Sequence, residues 1–217
     1  MESYRTVWKP GMGEITEKKS RFIADIVPVS SEEEAFEELE KIRKKYWDAR
    51  HHCWAYVIGG NPASERFSDD GEPAGTAGKP ILEVIRSREL TGVLVVVTRY
   101  FGGTLLGTGG LVRAYTAASV EGIANTPVIT KRHGIRMKIG TDYTGLGKIQ
   151  YLLAGRGIHV LDTEYTDKVE IRALVPDEER GALEKEIMEG TNGQAVLDEE
   201  GDCWFAVTDE GIEIFGS

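Results

Sequence analysis

Two glycine-rich segments contain the residues of this sequence whose types and spacing best suit ligand binding. Residues 101–110 read Phe-Gly-Gly-Thr-Leu-Leu-Gly-Thr-Gly-Gly, and residues 67–80 read Phe-Ser-Asp-Asp-Gly-Glu-Pro-Ala-Gly-Thr-Ala-Gly-Lys-Pro. Glycine allows positive φ angles and lets a ligand approach the main chain closely. Where such a segment opens a helix, the free amides and the helix dipole suit an anion such as phosphate. Both segments are therefore candidate ligand-binding loops, and residues 101–110 are the candidate for an anion.

The later segment lies between a predicted buried strand, residues 92–100, and a predicted helix, residues 111–124. It lacks the Gly-Lys-Ser/Thr ending of a Walker A loop and does not match the dinucleotide-binding fingerprint. A tight packed turn is the alternative, although its glycines exceed what a turn needs. The candidate ligand-binding residues here are Arg99, Tyr100, Gly102, Gly103, Gly107, Thr108, Gly109, Gly110 and Arg113.

The earlier segment offers carboxylates as well as glycines. Asp69, Asp70 and Glu72 could hold Mg²⁺ through oxygen ligands, or they could form a turn that caps itself. The other candidate binding residues of this segment are Ser68, Gly75, Thr76, Gly78 and Lys79. If the strands that precede the two segments run parallel, both loops leave the same sheet edge and form one cleft. Such a cleft is compatible with a phosphorylated ligand bridged by a metal.

A third candidate lies on the predicted strand at residues 50–59. Alternation along this strand sends His52, Trp54 and Tyr56 to one face, where together with Arg50 they could form an open platform for base stacking. Half-buried core aromatics are the alternative. The neighbouring His51-His52-Cys53 has no third ligand at fitting spacing, which argues against a zinc site or a Cys-His nucleophile.

The elements that position these residues fall into two predicted domains, residues 1–125 and 126–217, with the boundary near Asn125-Thr126-Pro127. In the first, a strand at residues 20–29 precedes a helix, whose start is marked by the capping-box pair Ser31 and Glu34. The alternation of strands and helices that follows indicates an α/β layer structure. The second domain shows the order β-α-β-β-α-β of a ferredoxin-like domain. The predicted fold class is therefore α+β.

Charge and composition limit the classes of function. The net charge is −10, which argues against a protein that coats nucleic acid over its whole surface. Residues 1–125 have a net charge of −2 and residues 126–217 of −8, so any polyanion-binding face belongs to the first domain. The two cysteines and the lack of a bilayer-length apolar run or signal-peptide core predict a cytoplasmic protein with free thiols.

Three long stretches of this sequence resemble the YigZ/IMPACT family: residues 51–56, residues 67–80 and residues 99–112. The resemblance covers roughly residues 15–125, and the remainder is similar to the second domain of bacterial YigZ-type members. It implies an N-terminal domain of the ribosomal-protein fold, a two-layer α/β domain like domain IV of elongation factor G. The implied C-terminal domain is like domain V of the same factor.

This resemblance also implies a function. The eukaryotic members regulate translation under amino-acid stress by competing for an activator of an initiation-factor kinase. Nucleic-acid or ribosome binding is the usual suggestion for the bacterial members. The small-molecule kinases that share the N-terminal fold bind ATP phosphates on a similar glycine-rich loop, but residues 102–110 lack their Ser-Ser-Ala ending.

The leading hypothesis is a cytosolic, non-enzymatic, translation-associated regulator that binds RNA, the ribosome or a protein partner. On this hypothesis Arg50, Lys79, Arg99 and Arg113 contact phosphates, and the chain needs no cofactor. The alternative is a phosphate- or nucleotide-binding enzyme. There Asp69 or Asp70 would hold Mg²⁺ and the amides of residues 107–110 would hold the phosphates.

Overall fold

The computed structural model describes residues 2–59 and 63–216. They form two compact units, one of residues 4–129 and the other of residues 2–3 together with residues 130–216. In this part of the chain no helix combines the length and the apolar composition that crossing a bilayer requires.

The first unit contains six strands and three helices among its described residues. In chain order these are β1 (Tyr4–Val7), β2 (Gly11–Glu17), β3 (Ser20–Pro28), α1 (Glu32–Lys45), β4 (His51–Ile58), β5 (Ser64–Ser68), α2 (Gly78–Ser87), β6 (Val93–Tyr100) and α3 (Gly107–Ala124). The capping pair predicted for α1 is present, because Ser31 Oγ accepts a hydrogen bond from the Glu34 amide at 3.2 Å. The Glu34 carboxylate reaches back one residue further than the motif predicts and accepts from the Ser30 amide at 2.6 Å.

The sheet of this unit has the order β2-β3-β6-β4-β5, and every neighbouring pair is antiparallel. β6 lies in the middle, and its residues Val93–Val97 are almost completely buried, as its unbroken apolar run predicts. Because β5 and β6 are both antiparallel to β4, they run in the same direction. The loops that follow them, residues 69–77 and 101–106, therefore leave the same edge of the sheet.

Two further connections reach that edge. The turn at residues 18–19 joins the end of β2 to the start of β3, and residues 46–50 join the end of α1 to the start of β4. We call these four segments, residues 18–19, 46–50, 69–77 and 101–106, together with the first turns of α2 and α3, the loop edge.

Helices cover both faces of this sheet. α2 and α3 pack on the face that presents Phe22, Cys53 and Val95. The implied two layers of sheet and helices are thus present, and α1 adds a third layer on the opposite face, where Leu39 packs against Tyr56 and its neighbours.

The second unit continues with β7 (Val128–Thr141), α4 (Tyr143–Gly155), β8 (His159–Tyr165), β9 (Val169–Pro176), α5 (Asp177–Gly190), β10 (Val196–Thr208) and β11 (Gly211–Phe215). Its sheet order is β11-β10-β7-β9-β8. With β11 set aside, the four strands have the order 4-1-3-2 of a ferredoxin-like domain, which confirms the predicted β-α-β-β-α-β pattern. Its core is formed by apolar side chains of β7, β9, α4 and α5.

Candidate functional site

The loop at residues 69–77 caps its own helix. Asp69 Oδ1 accepts hydrogen bonds from the amides of Ala77 at 3.0 Å and Gly78 at 2.8 Å. Its Oδ2 accepts from the Gly75 amide at 2.8 Å. Because this carboxylate already satisfies the amides at the start of α2, an external anion is not needed there. The self-capping alternative describes this loop.

The other two carboxylates of the loop point to different partners. Asp70 Oδ2 accepts from the His52 amide at 2.6 Å, and its Oδ1 accepts from the Arg43 guanidinium at 3.3 Å. Glu72 turns inward and is almost completely buried. Asp69, Asp70 and Glu72 therefore do not converge, and no group of three or more His, Cys, Asp or Glu residues in the described part of the chain could hold a metal ion.

Glu72 is the centre of a buried polar network. Arg99 donates from Nη1 to Glu72 Oε1 at 2.6 Å, and the Tyr115 hydroxyl donates to the same oxygen at 2.8 Å. The Cys53 sulfur lies 3.3 Å from that hydroxyl and 3.0 Å from the Asp69 carbonyl oxygen. Burial raises the pKa of the Cys53 thiol and of the Tyr115 phenol. Both therefore stay protonated at neutral pH, and a Cys53 nucleophile is not available.

Arg99 is accordingly not a surface phosphate contact. Its side chain is buried and its charge is paired with Glu72, so the prediction that it contacts a ligand is wrong. An alternating strand places every second residue under the helices, and at Arg99 the buried carboxylate makes that position tolerable. The Arg99 Nε atom has no hydrogen-bond partner among the described residues.

The predicted aromatic platform is also buried. His52, Trp54 and Tyr56 do share one face of β4, but α1 covers that face and leaves Trp54 only 7% and Tyr56 only 1% exposed. Trp54 and Tyr56 stack on each other, and Phe36 of α1 packs edge-on against both. The open-platform prediction is therefore wrong, and the core-aromatic alternative is correct.

The loop at residues 101–106, unlike the loop at residues 69–77, does not cap the helix that follows it. Gly102 lies so close to the β2–β3 turn that a side chain there would overlap the Lys19 carbonyl group, and its amide donates to Ser20 Oγ at 3.0 Å. Gly103 and Gly107 have φ angles of +85° and +72°. No side chain caps α3, whose N-cap residue is Leu106.

The start of α3 therefore differs from the start of α2. Gly107, Thr108 and Gly109 are exposed there, whereas Gly110 is buried. Of the two helix starts, that of α3 therefore remains the candidate anion site.

The remaining predicted residues stabilise the loop edge from within. Ser68 Oγ accepts from the Asp70 amide at 3.2 Å, and the Thr76 hydroxyl donates to the Pro73 carbonyl at 2.6 Å. Gly78 packs against the backbone of Ser68, where an added Cβ would lie within 2.7 Å. The Tyr100 hydroxyl donates to Asp48 at 2.8 Å.

Cations without partners gather on the outside of the loop edge. They are exposed and form no ion pair within the described ranges. Lys18, Lys19 and Arg50 lie in the connections, and three lie in adjoining helical turns: Lys44 in the last turn of α1, Lys79 in the first turn of α2 and Arg113 in the second turn of α3. Arg50, Lys79 and Arg113 were predicted from the sequence. Lys18, Lys19 and Lys44 were not among the binding residues predicted from the sequence.

Comparison with known proteins matches both units. The Impact N-terminal domain matches residues 18–123, and a domain of unknown function, DUF1949, matches residues 139–194. The chain is 43% identical over 199 residues to the IMPACT family member YvyE of Bacillus subtilis, with 92% of each chain covered. It is 38% identical over 161 residues to the IMPACT family member YigZ of Escherichia coli, with 73% of this chain and 79% of YigZ covered.

A solved structure is similar as well. A crystal structure described as that of a hypothetical protein shares 33% sequence identity, with a TM-score of 0.60 and coverage of 93% of this chain and 100% of that one. Similarity at this identity, over almost the whole of both chains, extends the relationship from the loops to the complete two-domain fold. The chain belongs to the IMPACT family.

Proposed function

We propose that this chain is a cytoplasmic translation-associated regulator that binds RNA, alone or within the ribosome, through the loop edge of its N-terminal unit. The observation that carries the proposal is that six exposed cations without ion pairs lie at or next to the loop edge. Most other basic side chains of this unit are neutralised by nearby carboxylates, as in the pairs Arg86–Glu65 and Arg66–Glu32. A concentrated positive surface on a unit of net charge near −2 favours a polyanion.

Membership in the IMPACT family supports the translational part of the proposal, because the eukaryotic members are the translation regulators of that family. The charge distribution supports the RNA part. The acidic C-terminal unit repels polyanions, so the proposed contact is confined to the N-terminal unit.

Cosedimentation with ribosomes and binding of fluorescent RNA test the proposal. Affinity is expected to fall with salt, and the double variant Lys18→Ala/Lys19→Ala should bind more weakly. It should also flatten the slope of log affinity against log salt by about 1.4 for a single strand, since each lost phosphate contact removes about 0.7.

Arg88→Ala is the matched control, because Arg88 is an exposed basic residue at the far end of α2. Affinity that does not depend on salt, or an equal loss in the Arg88 variant, would contradict the proposal.

The uncapped start of α3 favours one alternative, a phosphate- or nucleotide-binding enzyme. This alternative also requires a metal ion held by Asp69 or Asp70. The structure gives no support for that ion, since both carboxylates already accept hydrogen bonds from the protein. A thermal-shift screen of nucleotides with and without Mg²⁺ separates the two functions. Stabilisation by a nucleotide without any RNA binding would favour the enzyme.

A further inference from the structure

Three large apolar side chains at the loop edge project into solvent. Trp47 is 82% exposed, Phe101 is 54% exposed and Leu105 is 83% exposed. The aromatic residues Phe22 and Trp54 of the same unit are buried in its two cores. Exposed apolar side chains that cluster within a polar surface mark an interaction site more often than scattered ones do.

One hydrogen bond links the segments that bear Trp47 and Phe101. The Tyr100 hydroxyl donates to Asp48 Oδ1 at 2.8 Å, and this bond joins the residue after Trp47 to the residue before Phe101. The guanidinium carbon of Arg99 lies 5.6 Å from the centre of the Phe101 ring. Arg99 is itself paired with Glu72, so the Phe101 ring rests against a fixed guanidinium while the residue stays 54% exposed.

Unpaired cations lie in the segments that adjoin these two residues. Gly102, next to Phe101, packs against the turn that bears Lys18 and Lys19, while Lys44 and Arg50 flank Trp47 in the chain. The acidic residues in the same segments are Glu17 and Asp48, and Asp48 is engaged by Tyr100. The surface therefore combines net positive charge with flat apolar rings.

This combination fits unpaired nucleotides better than a duplex or an acidic peptide. Bases present flat faces that stack on aromatic rings, and the phosphates between them carry the opposite charge to the lysines. In an A-form duplex the base faces are already stacked inside the helix and cannot reach Trp47 or Phe101. The carboxylates of an acidic peptide would form ion pairs with the lysines, but its acidic side chains offer no planar groups to stack on the two rings.

We propose, on the basis of the RNA-binding function above, that Trp47 and Phe101 stack against unpaired bases while Lys18, Lys19, Lys44 and Arg50 contact the adjoining phosphates. The ligand class of the loop edge is thus single-stranded RNA. This role replaces the one that the sequence assigned to His52, Trp54 and Tyr56, which lie beneath α1.

The test compares a single-stranded oligonucleotide of about ten nucleotides, within the usual range of site sizes, with the same strand annealed to its complement. The full chain should prefer the single strand. Trp47→Ala and Phe101→Ala should each weaken single-strand binding about tenfold, the usual cost of one lost stacking contact. Trp47→Phe should keep most of the affinity.

Tyr151→Ala is the control, since Tyr151 is an exposed aromatic residue of the other unit, and its loss should have no effect. Equal affinity for the duplex, or unchanged single-strand binding by both alanine variants, overturns the stacking proposal.

If the lysine variants still weaken binding in that case, the proposed function stands. If the chain binds neither oligonucleotide nor ribosomes, both proposals fail. If Trp47→Ala abolishes ribosome binding without affecting the oligonucleotide, the rings contact a protein and the stacking proposal is overturned.

Discussion

Arg99 and Glu72 form an ion pair at 2.6 Å in which both side chains are more than nine-tenths buried. Glu72 belongs to the loop at residues 69–77 and Arg99 to the central strand β6, so this pair joins one glycine-rich segment to the strand that leads into the other. Tyr115 of α3 donates to the same carboxylate oxygen. The two loops are therefore held together by a buried polar network, and this network is independent of any ligand.

Arg99→Ala should destabilise the N-terminal unit by about 3–5 kcal/mol, because it leaves the Glu72 carboxylate buried without its cation. Urea unfolding measures the change. Lys41→Ala is the comparison, since Lys41 forms an exposed ion pair with Glu38, and the expected loss there is at most about 1 kcal/mol. The double variant Arg99→Met/Glu72→Met should recover much of the stability. A loss in Arg99→Ala no larger than in Lys41→Ala would show that the network contributes little.

Asp69→Ala should lower the free energy of unfolding by about 2 kcal/mol, at the upper end of capping effects, because three amides lose their acceptor. Asp69→Asn, which keeps one carbonyl oxygen, should lose less. Asp142→Ala is the matched control, because Asp142 caps α4 through the single amide of Gly145 at 2.8 Å, and it should cost about 1 kcal/mol. Equal losses at Asp69 and Asp142 would mean that the additional bonds of Asp69 do not stabilise the loop.

The elements that were predicted correctly have strong local signals. α1 has a capping pair and an apolar face at helical spacing, and β6 has an unbroken β-branched run. The strands β2 and β5 lack such signals and were not identified. They form the two edges of the sheet, where few residues are buried and alternation is weak. Local pattern therefore predicts the centre of a sheet better than its edges.

The candidate site was predicted only in part, because here too the sequence signals are local. The glycine content indicated both loops, and the parallel direction of β5 and β6 brings them to one edge. The burial of Arg99 and Trp54 depends on helices that are distant in the chain, so composition and spacing could not reveal it. Trp47 and Lys18 lie in short connections without a motif, and only the arrangement of the strands places them beside the loops.

Gly102→Ala and Gly103→Ala should separate stability from binding. A Cβ at Gly102 would overlap the backbone of Lys19, so the turn that bears Lys18 and Lys19 must move. At Gly103 nothing lies within 4 Å, and only the φ angle of +85° opposes the change. We expect losses of about 1–3 kcal/mol from overpacking at Gly102 and about 1–2 kcal/mol from the backbone at Gly103.

Only Gly102→Ala should weaken RNA binding, because only there are the two lysines displaced. Fluorescence anisotropy with labelled RNA, on variants shown to be folded by circular dichroism, measures the difference. Equal affinities for the two variants would contradict the placement of the lysine turn in the interface.

Stability should decrease with rising pH above about 8.5, the ordinary pKa of a thiol, and Cys53 should account for part of the decrease. Burial raises the pKa of Cys53 in the folded chain, so above that pH the unfolded chain loses a proton that the folded chain keeps. The folded state then binds more protons, and the free energy of unfolding falls as pH rises. Between pH 7.5 and about 9.5 one such thiol contributes a loss of about 1.4 kcal/mol. Cys53→Ala should remove this part of the pH dependence, which urea unfolding at several pH values measures. Parallel pH curves for the two proteins would show that the thiol does not stay protonated in the folded core.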